Sequence, residues 1–585
     1  MLWPEGRNHS QAGNAARDAA RGVAWYDATI ADLGLHELAR ALSPDGRHEE
    51  RVRQILLAPC DDPDVIAYRQ DVLHDLLENK ALAEALGALL PSLAQLSFYA
   101  TGSPTRPNET ALQQVVFRLG ELELYVECVQ RMRAVLLAHA SRLASEGLRR
   151  LLEALTDVER DPAFQALRAE LPDMLAKVRN IGSVTIGVNL DAHLQPSEAT
   201  LLSINAHRFK GAGLSLLGKL FGNADSGDGT ATGQAVGLAR LHRIALPNEA
   251  THARDGSARA MLKLVPLFKD LSEILEAVAR PIADALLRYA RLNGQLLIAL
   301  ENEIAFYLGA IRLIRRIEAA GLPMCRPTIC PTEERIGEVH NLFNLNLALR
   351  MLMREPDARL DERIVLNDVA FDDAGRIFIL TGPNQGGKTT YIQAIGLIHV
   401  LAQAGLHVPG QRARLSPVDA IFTHFAAGER PDLESGRLGE EARRLSAVFS
   451  GATRHSLILL NESLSSTSPT ESLYLARDVV RGLRALGARA IFATHLHGLA
   501  EEADQINAGT PGDSRVASLV SETVPAAEGG DETGRRTFRI VPGPPMGMSY
   551  ARDIARKYGI SFEQLQEKIN RAGISRPRPA GNDRS

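Results

Sequence analysis

The stretch with the clearest chemistry is Gly382-x-x-x-x-Gly387-Lys388-Thr389. Apolar residues lead into it and an apolar-periodic segment follows, which is the strand, loop and helix order of a phosphate-binding loop. Glycines let several backbone N–H groups point at phosphate oxygens, and the helix start adds its positive dipole end. The residues predicted to hold the nucleotide are Gly382, Pro383, Asn384, Gln385, Gly386, Gly387, Lys388, Thr389 and Thr390.

Two residues of the loop have expected roles in binding ATP and Mg²⁺. Lys388 is expected to reach the β- and γ-phosphates, and the Thr389 hydroxyl to bind the metal ion. The alternative is a glycine-rich turn that binds nothing. The complete pattern in its strand-loop-helix context favours the nucleotide site, so the sequence predicts ATP and Mg²⁺ as cofactors.

A second polar pair, Asn461-Glu462, ends an apolar run typical of a strand inside a parallel sheet. In P-loop ATPases the first position is usually an aspartate associated with Mg²⁺, and the next carboxylate polarises the attacking water. Asn461 can bind a metal-bound water but brings no negative charge, which predicts weaker Mg²⁺ binding and slower turnover. Glu462 is the candidate general base, with an ordinary strand-end carboxylate as the alternative.

Two further candidates follow from position alone. His495 ends the apolar run that begins at Ala488, and a histidine at the carboxyl edge of a sheet can hydrogen-bond a γ-phosphate and sense its presence. A lone histidine is more often a surface or core residue. Ser435-Gly436 could present N–H groups to a phosphate, although by itself the pair is a weak signal.

The elements that must position these residues fall into four predicted segments. Residues 1–105 are packed helices, and residues 106–345 carry two long amphipathic runs that flank an insertion at about 181–262. Residues 346–560 form an α/β domain, and residues 561–585 a helix with a basic tail. The predicted fold class is an α/β P-loop ATPase domain preceded by a mostly α-helical core with long lever helices.

The two long runs and the insertion are predicted in more detail. Periodicity lets the first run continue toward Leu151, and the second, from Leu271, spans about fifty residues or on the order of 75 Å, with a kink expected at Pro281. In the insertion, Val184–Leu190 alternates like a strand and Thr200–Ile204 is its expected partner. Basic residues surround a glycine-rich loop at 222–237, and on charge alone they indicate a solvated face rather than a phosphate-contacting tip.

Composition excludes several classes of protein. The 585 residues are 45% hydrophobic and 23% charged with a net charge of −4, so the chain is globular and any DNA-binding surface is a local patch. Four cysteines are too few for a disulfide framework. The chain starts without an apolar signal segment, and the apolar stretch 81–100 contains Glu84 and Pro91. We therefore expect a core helix, no membrane partner and a cytoplasmic protein.

With these motifs placed, the chain resembles the MutS family of DNA mismatch-repair ATPases. The residues that carry the resemblance are Thr381–Tyr391, Ser435-Gly436-Arg437, Leu459–Glu462, Thr467-Ser468, Ala493–His495 and Ser549-Tyr550. Pro383-Asn384 inside the loop separates this family from most other P-loop proteins. The similarity covers about residues 51–560 and is stronger after Ile364.

The resemblance implies an ABC-type ATPase head that forms a homodimer around two ATP molecules, with Ser435-Gly436 of each subunit completing the other's site. It implies a clamp, carried by the insertion, around duplex, mismatched or branched DNA, and a repair protein as a further partner. Family roles map onto Lys388 and Thr389 for phosphate and Mg²⁺, Glu462 for hydrolysis and His495 for γ-phosphate sensing.

Three departures from the family pattern modify these expectations. The chain begins in the helical core, so the mismatch-reading and connector modules are expected to be absent, as is an added nuclease domain after the basic tail. Phe98-Tyr99 lacks the wedge motif and is interpreted as core packing, which argues against direct mismatch recognition. Leu438-Gly439 stands where the family usually has hydroxyl residues, and Asn461 replaces the aspartate.

Two functions from different classes stay open. The first is an ATP-dependent DNA-binding clamp of the mismatch-repair type, favoured by the P-loop and the long helices. The alternative is a nucleotide-binding scaffold with weak or no ATPase activity that acts through protein partners, favoured by Asn461 and Leu438-Gly439. Adenine recognition is unassigned, because Ile364 stands where relatives commonly have an aromatic residue.

Overall fold

The protein was analysed as a computed structural model. It describes residues 23–43, 46–58, 60–101, 111–179, 183–190, 192, 196–207, 234–235, 242–243, 279–286, 289, 295–425, 436–524, 535–545 and 559–571. The chain divides into two compact units, one of Met1–Ala83, Ser141–Arg149 and Asn302–Ser585 and the other of Glu84–Ala140 and Arg150–Glu301. The four segments expected from the sequence stay a prediction.

Helices dominate the described residues before 320. They are α1 (Val23–Leu33), α2 (Leu35–Leu42), α3 (Glu49–Leu57), α4 (Pro63–Glu78), α5 (Lys80–Gly87), α6 (Leu90–Thr101), α7 (Ala111–Ala138), α8 (Glu146–Arg160), α9 (Pro162–Arg179) and α10 (Gln295–Ala319). Residues 279–286 are helical as well.

The first long helix ends earlier than its periodicity predicts. Helix α7 stops at Ala138, and α8 begins at Glu146. The Asp75 carboxylate of α4 accepts hydrogen bonds from the N–H groups of Ala144 at 3.2 Å and Ser145 at 2.7 Å. Asp75 therefore caps a new helix start from a distant part of the chain, which the apolar spacing could not show.

The second long helix is described only in part. Residues 279–286 and 295–319 are helical, but Tyr289 lies in a turn whose N–H donates to the Leu286 carbonyl at 3.0 Å. The prediction of a long helical run, kinked at Pro281 and including Tyr289, was therefore wrong at Tyr289. The sequence does carry a turn signal nearby, Asn293-Gly294, but the prediction gave more weight to the apolar periodicity.

The insertion contains an antiparallel sheet of β1 (Ser183–Leu190), β2 (Pro196–Asn205), β3 (Gln234–Ala235) and β4 (His242–Arg243). In β1 and β2, Val184 lies opposite Ile204, so the predicted pairing is confirmed. Strands β3 and β4 both pair with β2. The glycine-rich loop, apart from β3, and most of its basic neighbours lie outside the described residues.

Within the part of the chain that the structure describes, Lys80–Tyr99 is long and apolar enough to cross a membrane by length and composition, with a hydropathy of 1.3. A turn at residues 88–89 divides this stretch into α5 and α6. Its buried leucines recur every three or four residues and are Leu82, Leu86, Leu89, Leu93 and Leu96. Such a stripe is typical of a helix packed in a protein core, as the sequence predicts.

The α/β part contains the remaining elements. The strands are β5 (Met324–Cys325), β6 (Thr328–Ile329), β7 (Gly337–Leu342), β8 (Asn367–Phe371), β9 (Ile377–Thr381), β10 (Val408–Pro409), β11 (Arg412–Leu415), β12 (Ile421–Phe425), β13 (Leu457–Asn461), β14 (Arg489–Ala493), β15 (Val516–Val524) and β16 (Arg535–Pro542). The helices are α11 (Leu345–Arg354), α12 (Lys388–Gln403), α13 (Gly436–Gly451), α14 (Pro469–Leu486), α15 (His497–Glu501), α16 (Ala503–Gly509) and α17 (Phe562–Arg571).

The central sheet has the strand order β12-β13-β14-β9-β15-β16, parallel except for β16. Strands β9, β12, β13 and β14 are buried throughout, because both faces of the sheet are covered, and this explains their continuous apolar sequence. Strands β13, β14 and β9 are neighbours that run in one direction. The residues that follow each of them therefore meet at one edge.

The opposite, amino-terminal edge of the sheet is held by Arg489, the first residue of β14. Its side chain is fully buried and donates hydrogen bonds of 2.9 to 3.3 Å to the carbonyl oxygens of Ile336, Ser416, Pro417 and His455. Burial lowers the pKa of Arg489, while four carbonyl acceptors favour its charged form. The planar fork of N–H donors suits this geometry.

Replacing Arg489 with methionine should destabilise the sheet. The variant keeps an unbranched side chain but leaves buried carbonyl oxygens without donors, so we expect the free energy of unfolding to fall by about 3–5 kcal/mol. Urea unfolding measures the loss of stability, and hydrogen exchange of the β13 and β14 amides shows whether it affects these strands. Methionine at the exposed Arg443 is the matched control, and equal midpoints for both variants would contradict the role of Arg489.

Candidate functional site

The predicted phosphate loop joins β9 to α12, which begins at Lys388 as the sequence predicts. Gly382 has a φ of 139° and Gly387 a φ of 90°, conformations that strain residues with a Cβ. A Cβ on Gly386 would lie 2.6 Å from Oγ of Ser521, which also donates to the Gly386 carbonyl at 2.7 Å. The loop therefore needs glycine because β15 packs directly behind it.

Lys388 is the buried cation of the loop. Its side chain is 4% exposed, and Nζ donates to the carbonyl oxygens of Gly382 at 2.8 Å and Pro383 at 3.0 Å. Burial lowers the pKa of Lys388 to about 8, and the nearby Glu462 carboxylate acts in the opposite direction. An ammonium group in such a dehydrated place is stabilised by any anion that enters the loop.

Two other residues of the loop region, Gln385 and Thr390, accept hydrogen bonds from outside it. Asn384 and Gln385 are exposed, and the Gln385 side-chain oxygen accepts a hydrogen bond from Arg536 of β16 at 2.8 Å. The Thr390 carbonyl accepts from Nδ2 of Asn344 at 2.9 Å. Arg536 and Asn344 are contacts that sequence reasoning missed, since neither belongs to a motif.

Thr389 and Asn461 bring two oxygen atoms together at the start of α12. The Thr389 hydroxyl donates to Oδ1 of Asn461 at 3.2 Å. Oxygen ligands suit Mg²⁺, which keeps several waters and is usually bound together with substrate phosphates. The pair fits an ion that arrives with a nucleotide, because neither residue carries a charge to hold the ion alone. Within the described ranges, no group of three or more His, Cys, Asp or Glu forms another metal site.

Glu462 and His495 form a hydrogen-bonded pair at the same edge of the sheet. Nε2 of His495 lies 2.9 Å from Oε1 of Glu462, and since an ionised carboxylate only accepts, Nε2 carries the proton. This hydrogen bond lowers the pKa of Glu462, with the charge of Lys388 as a smaller cause. Glu462 is therefore ionised at neutral pH, which suits a group that orients and polarises a water.

A cavity of about 370 Å³ opens beside the loop. Its polar end is formed by the loop and Glu462, and its other walls are largely apolar. The lining residues outside the loop are Leu342, Phe343, Asn344, Leu347, Met351, Arg363, Ile364, Val365, Asn367, Tyr391, Ala394, Glu462 and Phe538. A cavity of this size with one polar end and apolar walls suits a small organic ligand that carries an anionic group.

Phe538 is a wall of this cavity that the sequence did not predict. It lies in β16 where the register with β15 shifts, and it has a φ of 58°. Asn367 fixes this bulge, because Nδ2 donates to the Phe538 carbonyl at 3.2 Å and Oδ1 accepts from the Ile540 N–H at 2.7 Å. Bulges redirect side chains next to sites, and the alternating pattern of a strand gives no signal of one.

The predicted signature residues are only partly described. Ser435 and Ser549-Tyr550 lie outside the described residues, and Gly436 is the first residue of α13. Leu438 packs, half buried, against the core of the central sheet. An apolar residue at this position therefore contributes to the interior, and the role of Ser435-Gly436 stays a prediction.

Family comparisons cover both parts of the chain. The MutS2 N-terminal domain matches residues 61–320, and MutS domain V matches residues 378–521, which include Lys388, Asn461, Glu462 and His495. The chain belongs to the MutS family. The fold and the site of this MutS-family chain thus agree with the resemblance seen in its motifs, and the matched domain V is a P-loop ATPase domain.

Individual relatives match over different lengths. The DNA mismatch repair protein MutS 2 of Halobacterium salinarum is 38% identical over 169 residues, 27% of this chain and 19% of that protein. The DNA mismatch repair proteins MutS of Chlorobium phaeovibrioides and Methanothrix thermoacetophila are each 26% identical, over 94% and 91% of this chain and 60% and 57% of their own lengths. The chain therefore spans at most about 60% of the length of these relatives.

The fold of this MutS-family chain brings five of the predicted site residues together. The residues that meet at the carboxyl edge of β9, β13 and β14 are Lys388, Thr389, Asn461, Glu462 and His495. Their catalytic and binding roles stay a prediction.

Replacing Lys388 with methionine should raise stability at neutral pH in the absence of nucleotide. The native pKa of about 8 lies below the ordinary 10.5, so below pH 8 folding buries a charge that the unfolded chain keeps in water. Between about pH 8 and 10.5 the unfolded chain binds more protons, and wild-type stability rises with pH. Thermal midpoints of both proteins at pH 7 to 10 should therefore converge as pH rises. A constant difference would contradict the lowered pKa.

Proposed function

We propose that this chain is an ATP-dependent DNA-binding clamp protein of the MutS type, in which ATP binding and hydrolysis are coupled to clamping of DNA. The observation that carries the proposal is the meeting of a buried lysine, two oxygen ligands and an ionised carboxylate at one sheet edge beside a cavity. Membership of the MutS family supports the DNA substrate. Two of the DNA mismatch repair proteins named above, those of Chlorobium phaeovibrioides and Methanothrix thermoacetophila, match most of the chain.

ATP fits the two ends of the cavity. The phosphates would accept hydrogen bonds from the loop N–H groups and from Lys388, near the positive end of α12. The adenine would lie against the apolar walls, where Ile364 offers an aliphatic face and Phe538, which lies beside Gly387 of the loop, an aromatic one. Phe538 thus supplies the aromatic contact that Ile364 does not, from a different part of the chain.

Hydrolysis would depend on Glu462 and His495. The ionised Glu462 orients the attacking water, and the Nε2–H of His495, which holds the carboxylate in this structure, would turn to the γ-phosphate when ATP is bound. Thr389 and Asn461 would hold Mg²⁺, which neutralises phosphate charge when bound. Because Asn461 is neutral, the ion is bound less tightly than beside an aspartate, and we propose that turnover is slow.

The clamp part of the proposal rests on the elements before the ATPase domain. Helices α7 and α10 contain 28 and 25 residues, and the insertion carries its own sheet. We propose them as levers and clamp around duplex or branched DNA, without direct mismatch recognition.

Tyr99 packs edge-on against Phe117 with 4.7 Å between ring centroids, as expected for core packing. Phe98 is 66% exposed, so its interpretation as a core residue was wrong.

The partner of the ATPase domain is proposed to be a second copy of the chain. The amino end of α13, with Ser435-Gly436, would face the nucleotide of the other subunit through backbone N–H groups, since Leu438 offers no hydroxyl there. A repair protein is proposed as a further partner of this ABC-type dimer.

The first experiment measures ATP hydrolysis with and without duplex, mismatched and branched DNA. We expect DNA to stimulate turnover, and Glu462→Gln to lower kcat by about a hundredfold or more while ATP still binds, because the water loses its orienting carboxylate. Lys388→Ala should lose ATP binding as well. Gln at the exposed Glu567 of α17 is the matched control.

DNA binding is measured in the same samples by fluorescence anisotropy at several salt concentrations. ATP should change both the affinity and its salt dependence, since a closing clamp changes the number of phosphate contacts. If ATP changed neither quantity on any DNA, the clamp function would be wrong even if hydrolysis were present.

The alternative function is a nucleotide-binding scaffold with weak or no ATPase activity that acts through protein partners. The neutral Thr389 and Asn461 pair favours it, because tight nucleotide binding can persist where metal-assisted hydrolysis is poor. Under this alternative the nucleotide sets the conformation that a partner recognises.

Replacing Asn461 with aspartate separates the two functions. The carboxylate adds a charge beside Thr389, so we expect tighter Mg²⁺ binding and a kcat about tenfold or more above the wild-type value if hydrolysis is limited there. Steady-state hydrolysis against Mg²⁺ concentration measures both effects. Rapid hydrolysis by the wild-type chain would rule out the scaffold function.

A further inference from the structure

The turn that carries Glu462 has an unusual backbone. Glu462 has a φ of 53° and Leu464 a φ of 63°, left-handed conformations that residues with a Cβ seldom adopt. Such a turn persists only where its surroundings hold it, because each of these residues would lower its conformational free energy by returning to ordinary backbone angles. The direction of the Glu462 carboxylate therefore depends on whatever fixes the turn.

Two of the contacts that fix the turn hold its ends. The Glu462 N–H donates to the Ala493 carbonyl of β14 at 2.8 Å. The Leu464 carbonyl accepts from the hydroxyl of Ser472, a buried residue of α14, at 2.6 Å. The centre of the turn, Ser463, is held by neither of these contacts.

Ser463 is held by His424, near the end of β12. Both side chains are buried, with exposures of 2% and 1%. Oγ of Ser463 lies 2.7 Å from Nδ1 of His424 and donates to the His424 carbonyl oxygen at 3.1 Å. Since a hydroxyl has one hydrogen and it is used for the carbonyl, Nδ1 must be the donor of the shorter bond.

These contacts define the protonation state of His424. A neutral imidazole with its hydrogen on Nδ1 satisfies both hydrogen bonds, and among the described residues Nε2 has no partner. Burial, with the charge of Arg444 as a second cause, lowers the pKa of His424 to about 4, so the ring is neutral under ordinary conditions. The His424–Ser463 pair is thus a fixed two-bond link and does not titrate near neutral pH.

We propose that His424 and Ser463 are positioning residues for hydrolysis, which hold the Glu462 carboxylate toward the nucleotide. The inference rests on the proposed ATPase function and adds to it two residues that do not line the cavity. Without the link the turn relaxes toward ordinary backbone angles, and Glu462 loses its alignment with His495. Nucleotide binding depends on the phosphate loop and is unaffected.

Ser463→Ala tests this inference. It removes the hydroxyl and leaves the loop intact, so we expect kcat for ATP hydrolysis to fall by about ten- to a hundredfold, with the ATP affinity within about twofold of wild type. His424→Leu should do the same, whereas His424→Asn, whose amide can donate from nearly the place of Nδ1, should retain most of the activity. Ser450→Ala, an exposed serine of α13, is the control.

The outcomes distinguish the inference from the function on which it rests. A wild-type kcat in Ser463→Ala overturns the inference and leaves the ATPase intact. If Ser463→Ala and His424→Asn both lose kcat, ATP affinity and thermal stability to the same extent, the link between the two residues is merely structural. That result also overturns the inference. If neither the wild-type chain nor Asn461→Asp hydrolyses ATP, the proposed function itself is wrong and the inference falls with it.

Discussion

Parallel pairing of β9, β13 and β14 is the constraint on which the candidate site depends. Three neighbouring strands that run in one direction deliver their following residues to one edge, whatever the distance along the chain. The same pairing requires both faces of the sheet to be covered, which makes the strands apolar throughout. The candidate site residues thus lie at strand ends or at the start of the helix that follows.

Charge at this edge is sparse and unevenly placed. One buried ammonium group, Lys388, lies near one ionised carboxylate, Glu462, while the residues suited to a metal ion are neutral. An anionic ligand therefore improves the electrostatic balance of the site, and a divalent cation without that ligand does not. We therefore propose that a metal ion and phosphates enter this site together, because the amide of Asn461 brings no charge that would hold the ion alone.

The sequence allows much of this arrangement to be predicted. The loop, Glu462 and His495 follow local patterns, because strands, strand ends and helix starts are written in adjacent residues. Phe538 could not be found in this way, since a bulge fixed by Asn367 turns it toward the cavity. The contact of His424 with Ser463 joins β12 to the turn after β13, and local sequence patterns do not show which residues of separate elements meet.

The helical part shows the same limit. Apolar periodicity predicts long helices but carries no information on where another segment interrupts them. The Asp75 carboxylate caps α8 from a helix about seventy residues earlier in the chain, and this tertiary contact outweighs the local preference to continue. Turns inside a periodic run are thus decided by partners that only the folded protein brings close.

The buried contacts of Arg489 also set an order of events during synthesis. All four carbonyl groups that it binds, from Ile336 to His455, leave the ribosome before Arg489 does. Until that residue emerges they have no guanidinium donor, and β9 still lacks both strands that flank it, β14 and β15. The ATPase sheet can therefore close only after β14 and β15 have emerged, and until then the earlier strands stay in the nascent chain with their apolar faces uncovered.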